Sequence, residues 1–393
     1  MITFADFIAP FDPVEFKTRY YGRQPLHIRR PGRSPGNPLP WVRFNEVLGL
    51  TPYWNEDTLK VFYKSRPALR ENYCDLGGSP PRSPAPADPV KVKALLGLGA
   101  SLVANHIHNV CPEVAAVCHM LQREFAAGCG ANVYCSFRQV QAFGTHFDLH
   151  DVFAYQAEGE KLWHVYEARA DNPIAPVPPG DEAEKWLLES RGRLLFEIVM
   201  QPGDLLYLPR GQYHDAITGA DASLHVTYWV KPATGLSVFK LLETALAGES
   251  DFRAYLPDAG DATALRERLA LLARHLLRLL GSPSFAIDVR NLQRGLATAP
   301  AAFDLPSQSR PQFFATAQRG RVMRRPENFV ALVGQAEIPL GATYPAVAWL
   351  FTRRTFSFQD LLAQHPCVDA EELRVVLDRL IQAGAVVATD IAT

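Results

Sequence analysis

The sequence predicts an α+β protein in which a closed or double-layered β structure is followed by helices. Three observations carry this. Between about residues 131 and 235 the chain runs through short β-rich segments, NVYCSFRQVQAFG, VFAYQAEGEKLWHVYEA, RLLFEIVMQPGDLLYLPRGQYHDA and ASLHVTYWVKP, punctuated by Gly, Pro and Asp. After Pro232 the pattern changes to amphipathic helix, in LSVFKLLETALAGE and DATALRERLALLARHLLRLLG. The last stretch reads helix, helix, helix and hairpin, a winged-helix pattern.

The elements follow in order. The aromatic, Pro- and Arg-rich opening, through FKTRYYGRQPLHIRRPGRSPGNPLP, predicts a lead-in helix, a strand and a loop. Residues 77–89, GGSPPRSPAPADP, predict a surface loop. PEVAAVCHMLQREFAAG has helical spacing, with Gly128 as its expected C-cap. Leu265, Leu269, Leu272, Leu276 and Leu279 form a stripe suited to a core or a dimer face, and the sequence favours the core. YPAVAWLFTRR, SFQDLLAQHP and DAEELRVVLDRLIQ supply the last helices, the third ended by Gly384. Asp360, Asp369, Glu371, Glu372 and Asp378 make this module acidic, which argues against DNA binding.

Composition narrows the class. The net charge of −1 gives no global pull toward nucleic acid or anionic membrane. No apolar run approaches the roughly 20 residues that cross a bilayer. The N-terminus lacks the basic segment of a signal peptide. Six cysteines without a CxxC pair read as reduced thiols, so a cytoplasmic location is expected.

The chemistry concentrates in GTHFDLHDVF and QPGDLLYLPRGQYHDA. On a strand, His146 and Asp148 project to one face. Gly203-Asp204 turns into LLYLP, Pro209 and Gly211 turn again, and His214 follows. Two His and one carboxylate on one face of a metal leave three positions open, the facial triad of non-haem iron oxygenases. HxD alone is weak; HxD joined to a PGDxxYxPxGxxH segment is specific. His150 and His225 are further candidates for the same cavity. His164 reads as barrel packing, and His106, His108 and His119 as structural. A 2-oxoglutarate ligand needs a cation for its far carboxylate, and Lys161 on the next inward strand suits it. Tyr134 and Ser136 are candidate hydroxyl donors to the same carboxylate.

With these residues in view, Val103 to about Val230 resembles the JmjC ribosomal oxygenases, Fe(II)- and 2-oxoglutarate-dependent protein hydroxylases. HFDLHDVFAYQAEGEKLW follows their HxD-x-x-D-V-F-x-x-Q-x-x-G-x-(K/R)-x-W pattern, and PGDLLYLPRGQYH their distal-ligand segment. The resemblance implies a double-stranded β-helix, the jelly-roll or cupin barrel, over residues 1–235. It implies a helical dimerisation region at 236–325 and a winged helix that does not bind DNA at 326–393. It implies iron on His146, Asp148 and His214, 2-oxoglutarate on Lys161 with help from Tyr134, O2 as co-substrate, and a homodimer. The substrate would be an amino-acid side chain in a protein or peptide, such as Arg or His of a ribosomal protein. The chain departs from the pattern at Tyr134-Cys135-Ser136-Phe137, which weakens the reading of Ser136. It departs again at Arg210-Gly211-Gln212-Tyr213, where Arg210 and Tyr213 are expected at the mouth. Competing readings are a precursor-peptide hydroxylase, a non-oxygenase metal-binding cupin, a DNA-directed demethylase and a degenerate scaffold. The intact triad and Lys161 speak against the last.

Overall fold

The computed structural model describes residues 2–30, 36–50, 52–63, 66–77, 83–137, 144–178, 180–219, 222–297, 313–318 and 320–389. Part of the expected surface loop, at 78–82, lies outside them. The chain divides into two compact units, Met1–Lys231 and Pro232–Thr393.

The first unit holds eleven strands: β1 (Leu26–Ile28), β2 (Leu59–Tyr63), β3 (Arg66–Pro67), β4 (Ser101–Ala104), β5 (Ala127–Ser136), β6 (Asp151–Glu158), β7 (Lys161–Arg169), β8 (Leu194–Met200), β9 (Leu205–Leu208), β10 (Gln212–Thr218) and β11 (Ser223–Pro232). They form an antiparallel sheet of eight, β1-β9-β6-β11-β5-β4-β2-β3, and a sheet of three, β10-β7-β8. The strands alternate with period two. On β6, Val152 and Ala154 face the smaller sheet and pack with Trp163, Val165, Met200, Leu206 and Leu208. Phe153, Tyr155 and Ala157 face the other way. There the aromatic opening segment finds its purpose. Phe4, Phe7 and Phe16 pack edge-on or tilted against Phe153, and Phe16 also meets Tyr207. This layer closes the back of the large sheet and leaves its inner face to the cavity.

The helix Pro112–Phe125 ends earlier than its sequence predicts. Ala126 takes the left-handed conformation at φ 46°, and Gly128 already belongs to β5. Pairing of β5 with its sheet neighbours outweighs the modest cost of a left-handed alanine.

The second unit opens with helices Gly235–Leu246, Ser250–Arg253, Ala262–Leu280 and Pro283–Gly295. No residue of Ala262–Leu280 is buried, and Leu269, Leu277 and Leu280 are 52%, 69% and 44% exposed. Of the expected stripe, Leu265, Leu272, Leu276 and Leu279 are half-buried and Leu269 is exposed, while Leu277 and Leu280 lie off it. Helices Tyr344–Leu350, Phe358–Gln364 and Ala370–Gln382 follow, and Gly384 turns at φ 72° into a strand at Val386–Thr389. That strand joins Phe313–Thr316 and Thr355–Ser357 in one sheet. A second meander, Arg321–Arg324, Phe329–Val333 and Ala336–Pro339, has no counterpart in the sequence reading. Among the described residues, no helix is long and apolar enough to cross a membrane.

Candidate metal centre

His146 and His214 face each other across one antiparallel rung. The N–H of His146 donates to the His214 carbonyl at 3.0 Å, and the reverse bond is 2.9 Å. The expected strand through the HxD segment shrinks to this single rung, and Asp148 lies beyond it in irregular backbone. One bond holds Asp148 itself, and a second holds Asp151 at the start of β6. The Gly211 N–H donates to the Asp148 carbonyl at 2.9 Å, and the Arg210 N–H to Asp151 Oδ1 at 2.7 Å. Gly211 sits at φ +85°, where a Cβ would lie 2.3 Å from the Ala170 carbonyl oxygen, so only glycine fits this turn.

Each imidazole is oriented from behind. His146 Nδ1 meets the Gly144 carbonyl and His214 Nδ1 the Gln212 carbonyl, both at 2.9 Å. Carbonyls only accept, so both Nδ1 atoms carry the proton and both Nε2 lone pairs are available. His214 Nε2 stands 3.6 Å from Asp148 Oδ2, and one ligand atom from each of the three residues falls within 4.8 Å of the others. Burial, reinforced by neighbouring His146, pushes the His214 pKa down to about 4, so this ring is neutral at neutral pH.

The rung is clamped on its other face by residues that sequence reasoning passed over. Thr145 and Asp215 flank the two histidines, and Thr145 Oγ1 donates to Asp215 Oδ2 at 2.9 Å. Asp215 also accepts from Tyr166 and His164, each at 2.7 Å. Burial raises its pKa, but these three bonds outweigh it and hold the carboxyl below its usual range. Arg191 donates to both Thr145 Oγ1 and Tyr166 Oη. His164 thus belongs to this network, bridging Asp215 and Glu197, and not to the barrel interior. Asp215→Ala would leave three donors unsatisfied and loosen the rung. Its expected effect is a ten- to hundredfold loss of metal affinity, about that of removing other outer-shell partners. A calorimetric metal titration reads it; unchanged affinity would reduce the network to a purely structural one.

The centre opens into a cavity of about 220 Å3. His150, Lys161, Trp163, His225, Tyr134 and Trp229 line it, with Asn132 and Thr227. The period-two spacing on β5, β7 and β11 delivers them, a signal that could have identified Asn132, Thr227 and Trp229 from the sequence. His150 and His225 both reach the cavity, and His150 Nδ1 is buried without a hydrogen-bond partner among the described residues. Ser136 is buried but does not line the cavity. Arg210 and Tyr213 do not line it either. The Arg210 guanidinium bonds the carbonyls of Asn172 and Pro173, and Tyr213 packs against Phe147.

Lys161 is 5% exposed, and among the described residues it meets no carboxylate. Its ammonium lies 3.4 Å from His225 Nδ1, and burial lowers its pKa to about 8. Burial and the adjacent ammonium hold His225 neutral, so its Nδ1 can accept from the lysine. His225 stacks on Tyr134 at 4.8 Å and meets Trp163 edge-on at 5.4 Å. Burial, and then the charge of Asp148, push the Tyr134 hydroxyl pKa up, so it stays protonated and able to donate. A larger cavity of about 690 Å3 lies in the second unit, beside His275, Arg278 and Tyr344. Among the described residues only the His146–Asp148–His214 group could hold a metal, so the chemistry belongs to the smaller cavity.

A cupin-type fold with this centre defines a class, and residues 104–237 match the JmjC domain model. This part of the chain is similar to JmjC domains, and to parts of the NO66 and ribosomal oxygenase proteins. It is 37% identical over 152 residues to the bifunctional lysine-specific demethylase and histidyl-hydroxylase NO66 of Dictyostelium discoideum, covering 37% of this chain and 29% of that protein. It is 34% identical over 148 residues to ribosomal oxygenase 1 of Danio rerio, covering 36% and 27%. The matches thus span under a third of these relatives' length. A solved structure of the Escherichia coli ribosomal oxygenase YcfD, in complex with cobalt and 2-oxoglutarate, aligns over 96% of this chain and 98% of that one, with a TM-score of 0.49 and 17% identity.

Proposed function

We propose that this chain is an Fe(II)- and 2-oxoglutarate-dependent oxygenase that hydroxylates a side chain in a protein or peptide. One observation carries the reading: two histidines whose Nδ1 atoms are held by carbonyls and one carboxylate converge in a cavity that also buries a lysine meeting no carboxylate among the described residues. Each half explains the other. Three protein ligands leave room for a bidentate 2-oxo acid, and a buried ammonium is costly until a ligand carboxylate meets it.

When bound, iron and 2-oxoglutarate would supply dioxygen activation, converting a substrate C–H bond to an alcohol and 2-oxoglutarate to succinate and carbon dioxide. The chain's own tasks are then clear. His146, Asp148 and His214 hold the metal, with both imidazoles locked on Nε2. Lys161, steadied by His225, takes the far carboxylate, and the protonated Tyr134 hydroxyl donates beside it. Trp163 and Trp229 keep the cavity poor in water. Ser136 has no direct part.

The relatives' names, histidyl-hydroxylase and ribosomal oxygenase, favour a His side chain of a ribosomal protein as substrate; an Arg side chain is the alternative, and the cytoplasm is the location we propose. The exposed leucines of Ala262–Leu280 favour a homodimer through the helical region 236–325. The acidic module at 326–393 reads as a winged helix without a DNA role. A non-oxygenase cupin is the second reading, and Lys161 disfavours it. The test is anaerobic loading with Fe(II) and 2-oxoglutarate followed by air. Succinate formation requiring both, and a ribosomal protein gaining one oxygen atom by mass spectrometry, are expected. Iron binding without 2-oxoglutarate affinity would transfer the chain to the second reading.

A further inference from the structure

β8 is the outer strand of the β10-β7-β8 sheet, and among the described residues it pairs only with β7. Its Phe196, Ile198 and Met200 pack into the barrel core. The alternate residues, Leu195, Glu197 and Val199, therefore face outward. Leu195 and Val199 are each 48% exposed. A free edge is normally short, bulged or charged; this one runs seven residues with one bulge at Leu195, and it flanks a single carboxylate, Glu197, which His164 Nε2 meets at 3.0 Å, with two large apolar side chains. The helix Asp181–Ser190, which leads into it, adds exposed Trp186 and Leu188. It also carries Asp181, Glu182, Glu184 and Glu189, of which only Glu189 is ion-paired among the described residues.

Charge selects the occupant. A second copy pairing antiparallel through β8 would place the central Glu197 opposite itself, and like charges directly opposite destabilise a strand pair. A basic segment does not meet this obstacle. We infer that β8 is a docking edge for an extended, basic polypeptide that adds as a fourth strand, with Lys or Arg opposite Glu197 and apolar residues two positions to either side, against Leu195 and Val199. The inference rests on the oxygenase reading only in taking this polypeptide to be the one oxidised. With strands about 4.8 Å apart, the added strand runs about 14 Å from β10, which carries His214. The docked segment is thus an anchor, and the oxidised side chain lies at least four residues along the same polypeptide, at about 3.4 Å per residue.

The test uses full-length chain, with and without Fe(II) and 2-oxoglutarate, and fluorescein-labelled Thr-Val-Thr-Lys-Thr-Val-Thr, followed by anisotropy. Replacing the central Lys by Glu is expected to weaken binding about tenfold. Glu197→Lys is expected to reverse the preference, a gain that a misfolded variant cannot mimic. Equal affinity for both peptides, or a preference that Glu197→Lys leaves unchanged, overturns the inference. So does a change of oligomeric state in Glu197→Lys without peptide binding, which would assign the edge to a second copy. Binding does not need turnover, so loss of the oxygenase reading in the succinate assay and loss of the docking edge are separate results.

Discussion

His214→Ala is expected to abolish metal binding and all metal-dependent succinate formation. Wild-type chain at a metal concentration a hundredfold above Kd gains about 2.7 kcal/mol of stability from the bound ion. The variant should gain none, because two ligands cannot reproduce the three-point grip of His146, Asp148 and His214. Thermal unfolding with and without Fe(II), under anaerobic conditions, reads this directly. Removal of the ring frees one hydrogen-bonded carbonyl, that of Gln212, at a cost of about 1–3 kcal/mol. The backbone rung to His146 survives, because it uses no side-chain atom. Asp148→Asn supplies a check on folding: that side chain is 31% exposed, and its loss should also eliminate the metal-induced shift. Retained metal stabilisation in both variants would remove this group from the metal centre.

Lys161→Met is expected to separate the two halves of the site. Iron binding should persist, whereas 2-oxoglutarate affinity should fall more than about a hundredfold, since losing one partner of a buried charge pair costs about 3–5 kcal/mol. The unliganded variant should be more stable than wild type at neutral pH, because the wild-type fold buries an ammonium that meets no carboxylate among the described residues. The pH dependence follows from the fall of the lysine pKa from 10.5 to about 8, caused by burial. Between these values the unfolded chain binds more protons than the folded one, so this lysine makes stability rise with pH above 8. Below 8 its penalty is complete. Binding of 2-oxoglutarate needs the ammonium, so affinity should decline as pH rises through about 8, and the methionine variant should show neither trend. Denaturant melts and ligand titrations from pH 6 to 10 test both. A methionine variant that binds 2-oxoglutarate like wild type would refute the assignment.

What the sequence disclosed was chemistry that needs particular residue types at particular turns. His146, Asp148 and His214 stand out because HxD and PGDxxYxPxGxxH leave little freedom, and Gly211 shows why, at a turn that admits no side chain. Lys161 was legible because a lysine among apolar strand residues demands a partner. The Thr145–Asp215–Tyr166–Arg191 network was not, because those residues are ordinary on a solvated strand face and acquire meaning only when β7 and β10 pair. Gly128 misled for a related reason, since helix-capping preference is a local signal and β5 claims the residue through distant pairing. The leucines of Ala262–Leu280 show amphipathicity in any context, and periodicity does not say whether the same chain or another covers them. The strands between Arg321 and Pro339 are short and mixed in polarity, so they carry little periodic signal.

The single rung between His146 and His214 has a consequence for how the protein is kept in the cell. Two distant stretches of chain are brought together by backbone bonds that use no metal-binding atom, so much of the ordering entropy of the centre is met by folding itself. Such a site would be emptied and refilled without unfolding, unlike small metal-folded domains. Iron supply could then set the working fraction of a standing pool of folded chain, with recovery as fast as the ion returns and no new synthesis.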